Sequence, residues 1–222
     1  MQLIHIYHSC FAAVDEGYLV VYDYWQDPKG TLHALLENAL QSDIEVFFVV
    51  SHFHTDHFNP EITGWCKEHE GWHLIPSYDT IRRRRIPREV PLAELRPGTR
   101  VETPYFTLKA YHSTDVGVST VTELKEGTVL YHAGDNNNWY FPSDELPASS
   151  RVKITAEQMD KLYASTLREI KHDYPVIDHA MVPVDHRLGQ EMMRGPLQFI
   201  QAIEVHYFHP MHYADLSALL AE

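Results

Sequence analysis

The segment Ser51-His52-Phe53-His54-Thr55-Asp56-His57 places three histidines and one aspartate within six positions. His52 and His54 differ by two, so in extended chain their side chains point to the same side. Asn59-Pro60 follows and suits a helix start, with the asparagine as cap and the proline at the first helical position. Asp56 and His57 therefore fall in a turn that can aim both at a neighbouring point. Two imidazoles on one side, and a carboxylate plus an imidazole on the other, are the donors that two adjacent cations need. The competing reading is a polar strand end with solvated histidines. Upstream, Glu45 to Ser51 is almost continuously apolar, as a strand covered on both faces would be. The chain has 16 histidines, and histidine is the commonest metal ligand. Spacing, not abundance, carries the argument.

An H-x-H-x-D-H run straight after an apolar strand resembles the signature of the metallo-β-lactamase superfamily. That resemblance implies an α/β fold, an αββα four-layer sandwich with a binuclear metal site at one edge of its two sheets, in one domain over residues 1–222. It also implies further ligands in a set order. Ala110-Tyr111-His112-Ser113 offers a third histidine for the first metal. Val129-Leu130-Tyr131-His132-Ala133-Gly134-Asp135 offers a bridging aspartate. The C-terminal stretch Val205 to Tyr213 offers a last histidine. There His212 is preferred over His209, because Pro210-Met211-His212 resembles the family's closing motif. Carried over, His52, His54 and His112 hold the first metal, Asp56, His57 and His212 the second, and Asp135 bridges them. His8-Ser9 and Asp23 look like the opening strands of the family's smaller hydrolases.

The implied cofactors are two divalent metal ions. Metal coordination lowers the pKa of bound water to about 7, so a bridging hydroxide is the expected nucleophile, with Asp56 as the catalytic group that orients it and accepts its proton. Zinc (Zn2+) is favoured because imidazoles dominate and no thiolate takes part. Manganese (Mn2+) and iron remain compatible, since carboxylates participate.

Other residues admit two readings each. His132 is either a donor or proton relay behind the metals or a histidine packed at a strand end. Ser113, Asp115 and Gly117 resemble a stretch in the family's lactonase-like hydrolases. Asp115 either orients a ligand histidine or belongs to a simple turn. Asn136, Asn137, Asn138, Trp139 and Tyr140 follow the bridging aspartate and are placed near the mouth of the site. Asn137 is thus a candidate substrate contact, against a surface turn. His186 and Arg187 follow a strand and are candidates to meet an anionic substrate. A structural ion pair of Arg187 with Asp185 is the alternative. The run Arg82 to Arg85 reads as a solvated face rather than a nucleic-acid site.

Elements must carry these groups to one place. The periodicity predicts strands at Leu3 to Tyr7 and Tyr18 to Tyr24, paired as hairpins. It predicts further strands at Glu45 to Ser51, Trp72 to Ile75, Arg100 to Tyr111, Val118 to Leu124, Gly127 to His132, His179 to Val184 and Val205 to Phe208. Helices are predicted at Thr31 to Leu40, Thr155 to Lys171, Pro196 to Ile203 with Gly195 as a cap, and Asp215 to Leu220. Thr155 and Gln158 have capping-box spacing. Met159, Leu162, Tyr163, Leu167 and Ile170 form that helix's apolar face. Pro87 to Pro97 and Phe141 to Ser150 read as loops.

Composition narrows the function classes. The 222 residues carry 31 acidic and 18 basic side chains, a net charge of -13, which argues against nucleic acid as a partner. No apolar run approaches the roughly 18 residues that span a bilayer, so no membrane role is expected. The N-terminus lacks a signal-peptide pattern. Two cysteines are too few for a disulfide scaffold. Cytoplasm is the expected compartment and a small molecule the expected substrate. Ester, lactone or phosphodiester hydrolysis is the leading reading. A non-catalytic metal-binding or interaction protein and a nucleic-acid-processing hydrolase are the rivals. Oligomeric state is not legible.

Overall fold

The computed structural model describes residues 1–141 and 154–213. The predicted loop over Phe141 to Ser150 lies outside them except for Phe141, and the predicted helix at Asp215 to Leu220 lies outside them entirely.

The first sheet contains β1 (Gln2–Tyr7), β2 (Cys10–Asp15), β3 (Tyr18–Tyr22), β4 (Glu45–Val50) and β5 (Trp72–Pro76) in that spatial order. β1, β2 and β3 form an antiparallel meander, and β3, β4 and β5 run parallel. α1 (Thr31–Gln41) and α2 (Glu61–Glu68) supply the parallel crossovers, as parallel pairing demands. α3 (Tyr78–Arg84) follows β5.

The second sheet contains β6 (Arg100–Glu102), β7 (Phe106–Tyr111), β8 (Ser119–Leu124), β9 (Val129–His132), β10 (Val176–Pro183) and β11 (Glu204–Met211), from one edge to the other. Its first four strands are antiparallel, and β9, β10 and β11 are parallel. α4 (Ala156–Asp173) and α5 (Arg194–Ala202) provide those crossovers. Two sheets flanked by helices make the αββα four-layer sandwich expected from the sequence.

β4 shows why its sequence is apolar throughout. Phe47 and Val49 join the core between the sheets, while Val46, Phe48 and Val50 join the core under α1 and α2. Period-two alternation sends successive side chains to two different buried layers. The α4 capping box forms as predicted: Thr155 N–H donates to Gln158 Oε1, and Gln158 N–H donates to Thr155 Oγ1. Leu162 departs from its predicted place on the apolar face and is exposed, while Thr166 is buried there instead.

Three other boundaries differ from expectation. The strand predicted over Arg100 to Tyr111 is a hairpin, because Thr103 Oγ1 accepts from the N–H groups of Tyr105 and Phe106 and turns the chain. Gly195 lies inside α5 rather than before it. A Cβ there would stand 1.8 Å from Asn137 Oδ1, so only glycine admits the Asn137 side chain. The start of α2 shifts by one residue: Pro60, expected as the first helical residue, is the N-cap, and Asn59 before it accepts from Glu61 N–H at 2.9 Å.

Candidate metal centre

The site forms where strand ends converge on one edge of the sandwich. The carboxyl end of β4 delivers Ser51, His52 and the turn to His57. The ends of β3, β9 and β11 deliver Asp23, Asp135 and His212. The β1–β2 turn delivers His8, and the β7–β8 connection delivers Asp115. Among the described residues a buried trio of Asp23, His52 and His57 backs two groups of donors. One contains His52, His54, Asp115 and Asp135, the other His8, Asp56, His57 and His212, each with its ligand atoms within 4.8 Å of one another.

Asp135 stands between the two groups. Its Oδ2 lies 3.4 Å from His52 Nε2. Its Oδ1 lies 3.1 Å from His57 Nε2 and 3.2 Å from His212 Nε2. Gly134 makes this placement possible at φ +53, where a Cβ would come within 2.7 Å of Ser51. The glycine of the Gly-Asp pair is therefore required by backbone conformation and by close approach.

A buried scaffold fixes the imidazoles from behind. Asp23 Oδ1 accepts from Ser51 N–H at 2.7 Å, and its Oδ2 accepts from Ser51 Oγ at 2.6 Å and from His57 Nδ1 at 2.7 Å. Ser51 spends its only hydroxyl proton on Asp23, so its oxygen accepts from His52 Nδ1 at 2.9 Å. His212 donates from Nδ1 to Asp185 Oδ2 at 2.8 Å. In all three histidines Nδ1 is occupied and Nε2 points to the centre, the arrangement that metal-binding histidines need.

Several inward atoms have no hydrogen-bond partner: both ring nitrogens of His8, Nε2 of His57 and His212, and Oδ1 of Asp135. Buried polar atoms are normally satisfied. Four residues, His8, His57, His212 and Asp135, can each turn one such atom to the centre from a separate element, which fits a shared cation. Burial opposes charge on Asp135, yet the neighbouring His57 and His212 hold its carboxyl well below the ordinary range. Asp56 is likewise desolvated, and the neighbouring His8 and His57 imidazoles keep its carboxyl below the ordinary range. Both carboxylates are therefore anionic at neutral pH.

Of the expected ligands, the structure brings together His52, His54, Asp56, His57, Asp135 and His212. His112 is the exception: it lies apart from both donor groups. It lies one residue past the end of β7, its side chain is 62% exposed, and its Nδ1 bonds Glu169 Oε2 of α4 at 2.8 Å. Asp115 enters the first donor group instead. His209 also stays outside, paired with His179 at 2.9 Å on the β10–β11 ladder. His132 is a buried prop. Its Nε2 donates to Ser9 C=O at 2.8 Å, its Nδ1 accepts from Gly134 N–H at 3.2 Å, and its ring stacks on Tyr22.

His8 is a donor that the sequence suggested only as part of an opening strand, like Asp23, without placing it at the site. It occupies the first central position of a two-residue β1–β2 turn at φ +54. That position is usually glycine in a hairpin turn. Strain of this kind, costing about 1–3 kcal/mol, clusters at functional sites. A histidine where glycine belongs was the available signal.

A cavity of about 410 Å³ opens onto the centre, lined in part by Asp56, Asp115, Trp139, Phe141 and Arg187. Arg187 donates to Asp185 through Nε and Nη2. Asp185 thus holds both a candidate metal ligand and a cavity-facing guanidinium. Asn137 turns under α5 and His186 is exposed, and neither lines the cavity. The arginine run is not wholly a solvated face. Arg84 donates to Phe53 C=O at 2.7 Å and to Thr55 Oγ1 at 3.1 Å, clamping the turn that carries the histidines.

No family model matches the sequence, and no curated protein matches it. Solved structures do match. Igni18, a metallo hydrolase from Ignicoccus hospitalis, aligns over 95% of this chain and 82% of its own, with TM-score 0.64 and 19% identity. The metallo-β-lactamase fold protein YhfI from Bacillus subtilis aligns over 97% of this chain and 84% of its own, with TM-score 0.58 and 10% identity. The CmlA β-hydroxylase aligns over 95% of this chain but 45% of its own, with TM-score 0.61 and 12% identity. The fold is that of the metallo-β-lactamase superfamily.

Proposed function

We propose that the chain is a binuclear metal-dependent hydrolase of a small-molecule ester, lactone or phosphodiester, within the lactonase-like range of this fold. One observation carries the reading: the Asp135 carboxylate stands between two donor groups, one oxygen toward each. Two bound divalent ions would supply a nucleophilic hydroxide at neutral pH and polarise the bond under attack. The residues supply the rest. His52 and His54 with Asp135 would hold one ion; His8, Asp56, His57 and His212 with Asp135 would hold the other. Asp56 is half-exposed toward the cavity and anionic, so it can take the proton that the attacking water loses. Arg187 faces the same cavity with its guanidinium pre-positioned by Asp185, suited to an anionic part of the substrate. Trp139 donates from Nε1 to Asp135 C=O at 2.7 Å and forms an aromatic wall. A cavity of about 410 Å³ suits a small substrate.

A reducing, cytoplasmic setting belongs to this reading and is supported by two unpaired cysteines, Cys10 being buried. Among the described residues no helix is long and apolar enough to cross a membrane.

The test is metal content together with turnover. Protein purified without added metal is analysed for elements, then assayed with p-nitrophenyl acetate, a γ-lactone and bis(p-nitrophenyl) phosphate. About two equivalents of metal and turnover of at least one probe, lost in Asp56→Asn, are expected. Two equivalents of metal with no turnover of any probe by loaded protein would favour the non-catalytic rival.

A further inference from the structure

The first metal position differs chemically from the second. On the binuclear reading, it takes donors from His52, His54, Asp115 and the shared Asp135. That is two imidazoles and two carboxylates. The second takes three imidazoles, from His8, His57 and His212, with Asp56 and a share of Asp135.

Asp115 is not a chance neighbour. Its loop is pinned on both sides to the segments that carry the other donors. Before it, Thr114 Oγ1 donates to Asn137 C=O at 2.6 Å, and Thr114 N–H donates to Asn136 Oδ1 at 3.2 Å. This ties the loop to the turn after Asp135. Beyond it, Gly117 at φ +76 packs against the end of β4. A Cβ there would lie 2.1 Å from Ser51 O and 2.5 Å from His52 Cβ. Val118 N–H donates to Ser51 C=O at 3.0 Å. Between these anchors the Asp115 carboxylate comes within 3.8 Å of His54 Nδ1 and faces the cavity. His112, the imidazole that would have made this position nitrogen-rich, is drawn away to Glu169.

The geometry points to Asp115 as a direct ligand of the first position, which makes that position the oxygen-preferring one of the pair, suited to Mn2+ or Fe2+ more than the imidazole-rich second position is. Carboxylates favour such harder ions, and imidazole-rich sets favour zinc. Overall affinity still rises from manganese to zinc at any such site. The consequence is therefore a difference in selectivity between two positions of one centre.

The probe is competition between Zn2+ and Mn2+. Metal-free whole protein is dialysed against buffers of graded Zn2+:Mn2+ ratio. Both metals are counted per chain, and bound Mn2+ is followed by electron paramagnetic resonance. The wild type is expected to exchange manganese for zinc in two resolved steps along the Zn2+:Mn2+ ratio. Asp115→His should merge the steps by moving the manganese-retaining position toward zinc. His112→Ala should leave both steps in place. Asp115 is 39% exposed, so its replacement does not threaten the core; an unchanged thermal melt checks that. A single exchange step in the wild type overturns the inference, as do two steps unmoved by Asp115→His. Either result leaves the binuclear hydrolase reading standing. Failure to bind two ions at all would overturn both.

Discussion

At the scale of single residues, the imidazoles of the centre are selected by what lies behind them. Asp23 never reaches the cavity, yet its two oxygens take three hydrogen bonds that orient His57 directly and His52 through Ser51. Its charge is retained in full burial. Desolvation opposes ionisation, and the facing His57 and His132 outweigh it, so the carboxyl titrates below its ordinary range. An amide nitrogen cannot accept from His57 Nδ1. Asp23→Asn is therefore expected to weaken metal affinity by about 10–100-fold, measured by competition with a coloured chelator. Unchanged affinity would mean His57 is oriented by other means. His212 and His209 give a second comparison. His212→Ala should lose one equivalent of metal, and His209→Ala should lose none, because its ring is engaged with His179 on the strand. Elemental analysis of the two variants decides it; the reverse pattern would reassign the last ligand.

At the scale of elements, α4 and α5 are joined by one carboxylate. Asp160 accepts from Arg194 at 2.9 and 2.7 Å, from Gln198 at 2.8 Å and from Asn138 at 2.7 Å. The last of these ties both helices to the segment after Asp135. The Arg194 hydrogen bonds, opposed by partial desolvation, hold the Asp160 carboxyl below the ordinary carboxylate range. The sign follows. A depressed folded pKa contributes stability above the unfolded value of about 3.9, and that contribution is lost as pH falls through the folded value. Solvent screens this group, so Asp160→Asn is expected to cost only about 1 kcal/mol at pH 7. Urea unfolding at pH 7 and below pH 3 should show the gap between wild type and variant closing in acid. A gap that does not change with pH would exclude the carboxylate charge as its source.

At the scale of the whole molecule, the cores and the metal centre are separable. The sheets bury Phe11, Phe47, Phe106, Tyr131 and Phe199 without help from any donor group. A chain of this size buries roughly 70% of its unfolded surface, so it does not depend on metal to fold. Chelation should abolish activity while far-UV circular dichroism and cooperative unfolding persist. The melting temperature should still fall, because ions bound only to the native state stabilise it by about 4 kcal/mol at a thousandfold excess over Kd. Loss of secondary structure together with metal would show that the strand-end turns, not the cores, hold the sandwich.

Local order was legible in the residues. A nearly continuous apolar run marked β4, the Thr155–Gln158 spacing marked the start of α4, and the H-x-H-x-D-H run marked the candidate centre. These signals act over a few residues, through backbone period, capping and turn geometry. The seven-residue α3 carried too short a pattern to see, and its Arg84 clamp on the histidine turn spans 31 residues of sequence. Choices between neighbours were also hidden. His112 and Asp115 sit three residues apart in one connection, and nothing local says which of them faces the centre. Glu169, 57 residues away, takes the histidine; Thr114, bonded to the turn after Asp135, and Gly117, packed on Ser51 and His52, present the aspartate. The sequence by itself determined which donors exist and on which strand ends they sit. Only the tertiary structure decided which of them meet, because that depends on long-range partners competing for each side chain.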